Sequence, residues 1–149
     1  MSPSGRPGPS PALMEAVGAQ LTRLLASARA ITTEAATRFH PDLQPAAFHV
    51  ARWLLAYGPA RTGDIARGVA MDRSAVSRLV DALRAAGLVR VGADPSDKRA
   101  NLVHLTGGGR THVMRALAWK GGVLQDRLAT WDDQDVEHLA RLLGKLNES

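Results

Sequence analysis

The sequence predicts a mainly α-helical protein with one small β-hairpin. Apolar residues recur at spacings of three and four through most of the 149 residues, which is the period of amphipathic helices. Two short apolar runs, Leu88–Val91 and Leu102–Leu105, flank a polar loop, as the strands of a hairpin do. A chain of this length is expected to form a single domain, over residues 12–149, with a buried core.

The first segments are predicted to be a tail and two helices. Residues 1–11 are rich in proline, glycine and serine, so we expect a disordered tail. The apolar stripe over residues 12–40 predicts one long helix. Pro45 suits the first turn of a second helix, which Gly58 and Pro59 end.

Two shorter helices precede the hairpin. Thr62 is predicted to cap the first of them and Asp72 the second. The second has the clearest apolar face in the chain, formed by Val76, Leu79, Val80 and Leu83. Gly87 ends that helix, and the polar loop of the hairpin is predicted over residues 92–101.

The last segment is predicted to form two further helices. Gly121 and Gly122 interrupt the stripe of the first, so we expect either a kink or close packing against another helix. Asp132 is predicted to cap the final helix. An apolar seam along the final helix suits packing against another helix, and consists of Val136, Leu139, Leu143 and Leu146.

The order helix, turn, helix and hairpin over residues 61–106 is that of a winged helix-turn-helix. Burying the apolar face of the second helix places small and hydrogen-bonding residues on its opposite face: Ser74, Ser77, Arg78, Asp81 and Ala85. Small residues let such a helix approach base edges in the major groove. For an isolated helix a merely solvated face is the better interpretation, but the neighbouring helix and hairpin favour the DNA-facing one.

The hairpin loop carries two adjacent cations, Lys98 and Arg99. A narrow minor groove concentrates negative potential and attracts an inserted arginine, so Arg99 is the natural probe. We expect Asp97 to hold the Arg99 guanidinium in a bidentate pair. The alternative is an ordinary polar turn in which the Asp-Pro pair serves the backbone geometry alone.

Charge and composition narrow the function classes. The net charge is +5, and its excess lies in residues 61–110, which carry nine Lys or Arg against five acids. This favours a nucleic-acid-facing module over general solubility. Cysteine is absent from the chain, which excludes disulfides and thiol chemistry within it. With neither a membrane-length apolar run nor a secretory signal, we expect a cytoplasmic protein.

Residues 88–106, LVRVGADPSDKRANLVHLT, resemble the wing of the multiple-antibiotic-resistance-regulator (MarR) family. The family's D-x-R-x-x-x-x-x-L-T pattern is matched by Asp97, Arg99, Leu105 and Thr106. The segment SAVSRLVDAL, residues 74–83, is similar to its recognition helix. The resemblance covers residues 12–147. It implies a bacterial homodimer that binds a pseudo-palindromic operator in double-stranded DNA. Residues 12–40 and 107–147 would be its dimerisation helices and 44–106 its DNA-binding module.

The resemblance also implies roles for single residues. Arg99 would enter the minor groove, while Ser74, Ser77 and Arg78 would face the major groove. Phosphate contacts would fall to Thr62, Arg73, Arg84 and Lys98. The chain departs from the family's pattern after Thr106, where Gly107–Gly109 replaces a helix-favouring turn. We therefore expect a loosened joint and mobile wings.

Many relatives respond to small aromatic or anionic ligands bound between the dimer helices and the winged module. The candidate lining residues here combine aromatic rings with cations, as an aromatic carboxylate requires. They are His49, Arg52, Trp53, Tyr57, Arg115 and Trp119. The alternative is that these residues are simply packed in the core and between helices.

Catalytic and metal-binding motifs are not found in the sequence. The five histidines form no H-x-x-x-H or H-E-x-x-H pair, and there is no P-loop or G-x-S-x-G segment. We therefore predict no enzyme activity, no metal and no cofactor. The predicted function is a homodimeric, sequence-specific transcription regulator, a repressor released by a small ligand. The alternatives are a ligand-independent architectural or silencing DNA binder, and a winged-helix protein-interaction module.

Overall fold

A computed structural model describes residues 8–148 and contains six helices and one two-stranded antiparallel sheet in that range. In chain order the elements are α1 (Pro11–Phe39), α2 (Pro45–Tyr57), α3 (Thr62–Gly68), α4 (Arg73–Ala85), β1 (Val89–Asp94), β2 (Asp97–Leu105), α5 (Gly107–Leu128) and α6 (Asp133–Asn147). The predicted fold class is confirmed. Most of the predicted tail, residues 1–7, lies outside the described residues, while Pro11 is already the first residue of α1.

One hydrophobic core joins the long helices to the winged module. Its largest fully buried side chains include one from each of α1 to α5, namely Phe39, Phe48, Ile65, Leu83 and Val113. Helix α1 contributes only through its C-terminal end, because the buried residues of this helix are Ala35, Ala36 and Phe39. Helix α6 has no buried residue. The core therefore lies around α2, with most of α1 and all of α6 outside it.

The helix boundaries follow the predicted capping residues with one exception. Asp132 caps α6, and its carboxylate accepts a hydrogen bond from the Asp135 N–H at 2.8 Å. Asp72 occupies the N-cap position of α4, although its side chain makes no capping hydrogen bond. The prediction for Thr62 is wrong: the N-cap of α3 is Arg61, and Thr62 is the first helical residue. The Arg61 side chain is engaged elsewhere, in the wing.

The hairpin loop is much shorter than the predicted residues 92–101. The strands run to Asp94 and from Asp97, so Pro95 and Ser96 alone form the turn. Asp94 closes this turn because its Oδ1 accepts hydrogen bonds from the Ser96 N–H at 2.9 Å and the Ser96 hydroxyl at 2.7 Å.

A residue before α3 extends the sheet. The Ala60 N–H donates to the Val103 carbonyl at 3.2 Å, and the Val103 N–H donates to the Ala60 carbonyl at 2.8 Å. The base of the wing is therefore tied to the segment between α2 and α3.

The Gly107–Gly109 segment is a packed joint. It forms the first turn of α5, whose N-cap Thr106 accepts from the Gly109 N–H at 3.0 Å and donates to the Gly87 carbonyl at 2.7 Å. Gly109 is buried, and a Cβ there would overlap the Leu88 carbonyl. These contacts oppose the loosening that three glycines predict.

Helix α5 passes through Gly121 and Gly122 without interruption. A Cβ at either residue would have no neighbour within 4 Å among the atoms described. Within the chain, neither glycine packs closely against another helix. None of the helices in residues 8–148 is both long and apolar enough to cross a membrane.

Candidate DNA-binding site

Helix α4 presents the polar face that its apolar period predicts. Val76, Leu79, Val80 and Leu83 are buried against the core. The predicted contact residues on the other side are exposed, namely Arg73, Ser74, Ser77, Arg78 and Arg84. Arg84 lies 3.5 Å from the Asp81 carboxylate, an exposed pair that restrains it weakly.

The tip of the wing places Lys98 and Arg99 outside the regular strand ladder. Asp94 faces Asp97 and Ala93 faces Asn101, so residues 98–100 have no Cα partner across the hairpin. Both cations are exposed. The sequence predicted that these two residues lie in the hairpin loop. They lie on β2 instead, because the turn is only two residues long.

Asp97 holds the backbone of Arg99 instead of its guanidinium. The Asp97 Oδ1 accepts a hydrogen bond from the Arg99 N–H at 3.0 Å, and the Asp97 Oδ2 lies 3.4 Å from Arg61 Nη2. The predicted bidentate Asp97–Arg99 pair is therefore wrong. The Arg99 N–H occupies one oxygen of Asp97 and Arg61 lies beside the other, so the carboxylate makes no ion pair with the Arg99 guanidinium.

The wing, α3 and α4 converge on a basic cavity of about 480 Å³. Four arginines line it, one from each of these elements and one from the residue before α3: Arg61, Arg67, Arg73 and Arg99. Thr62 also lines it. Arg67 is paired with Asp64, whereas Arg73 and Arg99 have no carboxylate partner among the residues described. Two uncompensated guanidinium groups therefore face solvent on one surface.

Arg61 is the functional candidate that sequence reasoning missed. Its Nε and Nη2 donate to the Asp94 Oδ2 at 3.0 and 2.7 Å. Asp94 is only 6% exposed and is the only charged residue buried in the range 8–148. The hydrogen bonds from Ser96, and then the one from Arg61, lower the pKa of Asp94 from 3.8 to about 2. The Asp94 hydrogen bond in turn raises the pKa of Arg61.

Comparison with known proteins identifies this module. Residues 42–100, from just before α2 into the wing, match the sequence model of the MarR family. This segment of the chain is thus similar to the MarR family.

Relatives extend the likeness beyond the module. An uncharacterised HTH-type transcriptional regulator of Bacillus subtilis, YxaD, is 27% identical over 121 residues, which cover 81% of this chain and 85% of YxaD. A MarR-family protein from Bacillus stearothermophilus has the same fold, with a TM-score of 0.81, 20% identity and coverage of 95% of this chain and 97% of that one. BpsR of Bordetella bronchiseptica is 25% identical with a TM-score of 0.58, over 86% of this chain and 93% of its own. The chain thus has the fold of MarR-family transcriptional regulators.

A second cavity, of about 670 Å³, lies between α2 and the turn that leads from α3 to α4. Four of the six predicted effector residues line it: His49, Arg52, Trp53 and Tyr57. The opposite wall is residues 68–71, which sequence reasoning missed because no local pattern shows that the turn faces α2. Burial, then Arg52 and Lys120, lower the pKa of His49, which favours the neutral imidazole.

The other two predicted effector residues lie elsewhere. Arg115 is exposed on α5 and does not line the cavity. The Trp119 ring lies under the guanidinium of Arg38, 4.4 Å from the ring centroid, and joins α5 to α1. Helical period alone did not reveal which face of α5 meets α2. No cluster of three or more His, Asp or Glu side chains in the described range has the arrangement of a metal site.

Proposed function

We propose that this chain is a homodimeric, sequence-specific DNA-binding transcription regulator, a repressor released by a small aromatic acid. The observation that carries the proposal is that Arg73, the first residue of α4, and the unpaired Arg99 of the wing line one basic cavity, while the polar face of α4 is exposed. A helix and a hairpin presented together in this way suit adjacent major and minor grooves.

The proposed contacts divide by chemistry. Ser74, Ser77 and Arg78 read base edges, since hydroxyl and guanidinium groups match the donors and acceptors of the major groove. Arg99 enters the minor groove. The remaining residues hold phosphates, which position the protein without reading sequence, and these are Thr62, Arg73, Arg84 and Lys98. Asp97 contributes through the Arg99 backbone and not by contact with DNA.

Unpartnered apolar faces support the homodimer. Helix α1 exposes Leu13, Met14, Val17, Leu24 and Leu25, and α6 exposes Leu142 and Leu146 without burying any residue. A strongly apolar groove of about 410 Å³ runs between α1 and α5, past Leu24, Ile31, Leu117 and Gly121. We infer that a second copy covers these faces, with its α6 near the groove. Exposing this many apolar side chains to water is unfavourable in free energy, and burying them against a partner removes that penalty.

The second cavity, between α2 and residues 68–71, is called the effector cavity below, and its lining suits a ligand of one chemical class. Trp53 and Tyr57, with ring centroids 4.9 Å apart, offer aromatic faces, while Arg52 and neutral His49 offer donors to a carboxylate. The DNA binding of BpsR is regulated by 6-hydroxynicotinic acid, an acid of this class. We propose a salicylate-like acid as the ligand type here.

A gel-shift series on the duplex upstream of the chain's own gene tests the proposal. Arg99→Ala is expected to weaken specific binding by about 1–3 kcal/mol, and wild-type affinity to fall steeply with salt. Arg23→Ala, which removes the same charge from exposed α1, is the control and is expected to change binding little. Equal binding by wild type and Arg99→Ala at every salt concentration would exclude the wing assignment and favour a protein-interaction module. Operator binding unaffected by any salicylate-like acid would favour a ligand-independent DNA binder.

A further inference from the structure

Arg61 lies where the segment before α3 meets both ends of the wing. The preceding residue, Ala60, is paired through two backbone hydrogen bonds with Val103 at the base of β2. The Arg61 side chain reaches the other end of the hairpin, where it contacts Asp94 and Asp97 on either side of the turn. The wing is therefore attached to the winged module at its base and near its tip.

Asp94 is fully engaged in this attachment. Its Oδ2 accepts both hydrogen bonds from Arg61, and its Oδ1 accepts both hydrogen bonds from Ser96. A buried carboxylate with both oxygens satisfied restrains its neighbours strongly, because loss of any partner leaves a buried charge short of a hydrogen bond. The two-residue turn and the Arg61 guanidinium thus keep one relative position.

Asp97 carries this restraint to Arg99. One of its oxygens lies 3.4 Å from Arg61 Nη2 and the other accepts the Arg99 N–H at 3.0 Å. Residues 98–100 have no partner across the hairpin, so ladder hydrogen bonds do not set the direction of Arg99. The carboxylate of Asp97, steadied by Arg61, does so instead.

We propose that Arg61 is a positioning residue for Arg99, which holds the wing arginine ready for the minor groove through Asp94 and Asp97. The proposal rests on the proposed DNA-binding function. Arg61 also lines the basic cavity, so direct contact with a phosphate is the competing role. The geometry favours positioning because two carboxylates already neutralise this guanidinium, whereas those of Arg73 and Arg99 are uncompensated.

A double-mutant cycle on DNA affinity separates the two roles, with Arg61→Gln, Arg99→Ala and the double variant measured by fluorescence anisotropy on the duplex that wild type binds. If Arg61 positions Arg99, Arg61→Gln weakens binding at least about fivefold, and the double variant binds about as well as Arg99→Ala alone. If Arg61 contacts a phosphate, the two effects add and the salt slope falls by about 1. Additive effects, or wild-type affinity in Arg61→Gln, would overturn the proposal.

Two further variants complete the cycle. Arg67→Gln is the matched control, since Arg67 lines the same cavity but pairs with Asp64 alone among residues 8–148. It is expected to leave the Arg99 effect intact. Asp97→Ala cuts the link to Arg99 without touching buried Asp94, so it keeps the test open if Arg61→Gln does not fold. It is expected to show the same non-additivity with Arg99→Ala.

Amide hydrogen exchange of the free protein gives a readout that needs no DNA. Arg61→Gln is expected to speed exchange over residues 96–101 while α4 stays protected, and Arg67→Gln is expected to leave both unchanged. Unchanged exchange in Arg61→Gln would overturn the proposal even where DNA binding is confirmed. Faster exchange in Arg61→Gln than in wild type, together with no duplex binding by wild type, would place the failure in the proposed function instead.

Discussion

The indole of Trp53 on α2 occupies the space that a side chain at Gly68 on α3 would fill. A Cβ added at Gly68 would overlap the five-membered part of the ring. Trp53 also packs on Tyr57, so the glycine fixes how closely α3 approaches this aromatic pair. The wall of the effector cavity and the end of α3 are thereby fitted to each other.

Gly68→Ala is expected to destabilise the protein by about 1–3 kcal/mol, since overpacking outweighs the gain in helix propensity. Denaturant unfolding measures the loss, and intrinsic fluorescence reports the displaced indole. Gly63→Ala, in the same helix but with open space around its Cβ, is the control and should be neutral or slightly stabilising. Equal stability of the two variants would contradict the close packing of Trp53.

Gly109→Ala is expected to weaken the joint between the wing and α5. A Cβ there would overlap the Leu88 carbonyl, and backbone atoms yield less readily than a flexible side chain. We expect a loss of about 1–3 kcal/mol in thermal unfolding. Gly108→Ala is the matched control, because its Cβ would meet only the Thr106 hydroxyl, at 3.7 Å. If both alanines stabilise the chain equally, the joint is loose after all.

Acid is expected to weaken the wing through Asp94. Because folding lowers the pKa of Asp94 from 3.8 to about 2, its contribution to stability is fully present above pH 4 and is lost as the pH falls towards 2. The free energy of unfolding, measured between pH 5 and pH 2, should fall more in wild type than in Asp94→Asn. Parallel curves for the two proteins would show that the carboxylate is not held in this way.

A salicylate-like acid is expected to bind more tightly as the pH is lowered from 8 to 6. Burial and the neighbouring Arg52 and Lys120 lower the pKa of His49, and a bound carboxylate offsets those cations and raises it, so binding takes up a proton. Calorimetric titration measures both affinity and proton uptake. His49→Gln should remove the pH dependence, and Arg115→Ala, outside the cavity, should retain it. Absence of binding heat at every pH would remove the ligand proposal.

Leu142→Lys on α6 is expected to shift the protein from a dimer towards the 15.9 kDa monomer in sedimentation equilibrium. A charge in an apolar interface is left without solvent or partner, which disfavours association. Gln134→Lys, which adds the same charge at an exposed position on the side of α6 opposite the apolar seam, should leave the mass unchanged. A wild-type protein that sediments as a monomer would contradict the homodimer.

The hydrophobic period of the sequence predicted correctly which face of α4 is buried and which is exposed. The buried stripe of α4 fixes its opposite face, so Ser74, Ser77 and Arg78 were found to be exposed as predicted. The predicted strands ended too early on the side of the turn. Ala93 and Asn101 have little β propensity, and they belong to the strands because they pair with each other across the hairpin. Arg61 was missed because its partner Asp94 lies 33 residues further along the chain, beyond any local pattern.

The effector cavity shows the same limit. Residues on α2 shared a face by helical spacing, so His49, Arg52, Trp53 and Tyr57 were brought together as predicted. Arg115 and Trp119 belong to another helix, whose rotation about its axis depends on packing against α1 and α2. Trp119 faces α1, where the Arg38 guanidinium lies over its ring.

The two hydrogen bonds between Ala60 and Val103 tie the segment before α3 to the hairpin. We expect a hairpin tied in this way to change its position relative to α4 little from one duplex to the next. The proposed major-groove contacts of α4 and the minor-groove contact of Arg99 would then require one groove width and one helical phase of the DNA. Duplexes whose shape does not meet that requirement would be rejected at base pairs that no side chain touches.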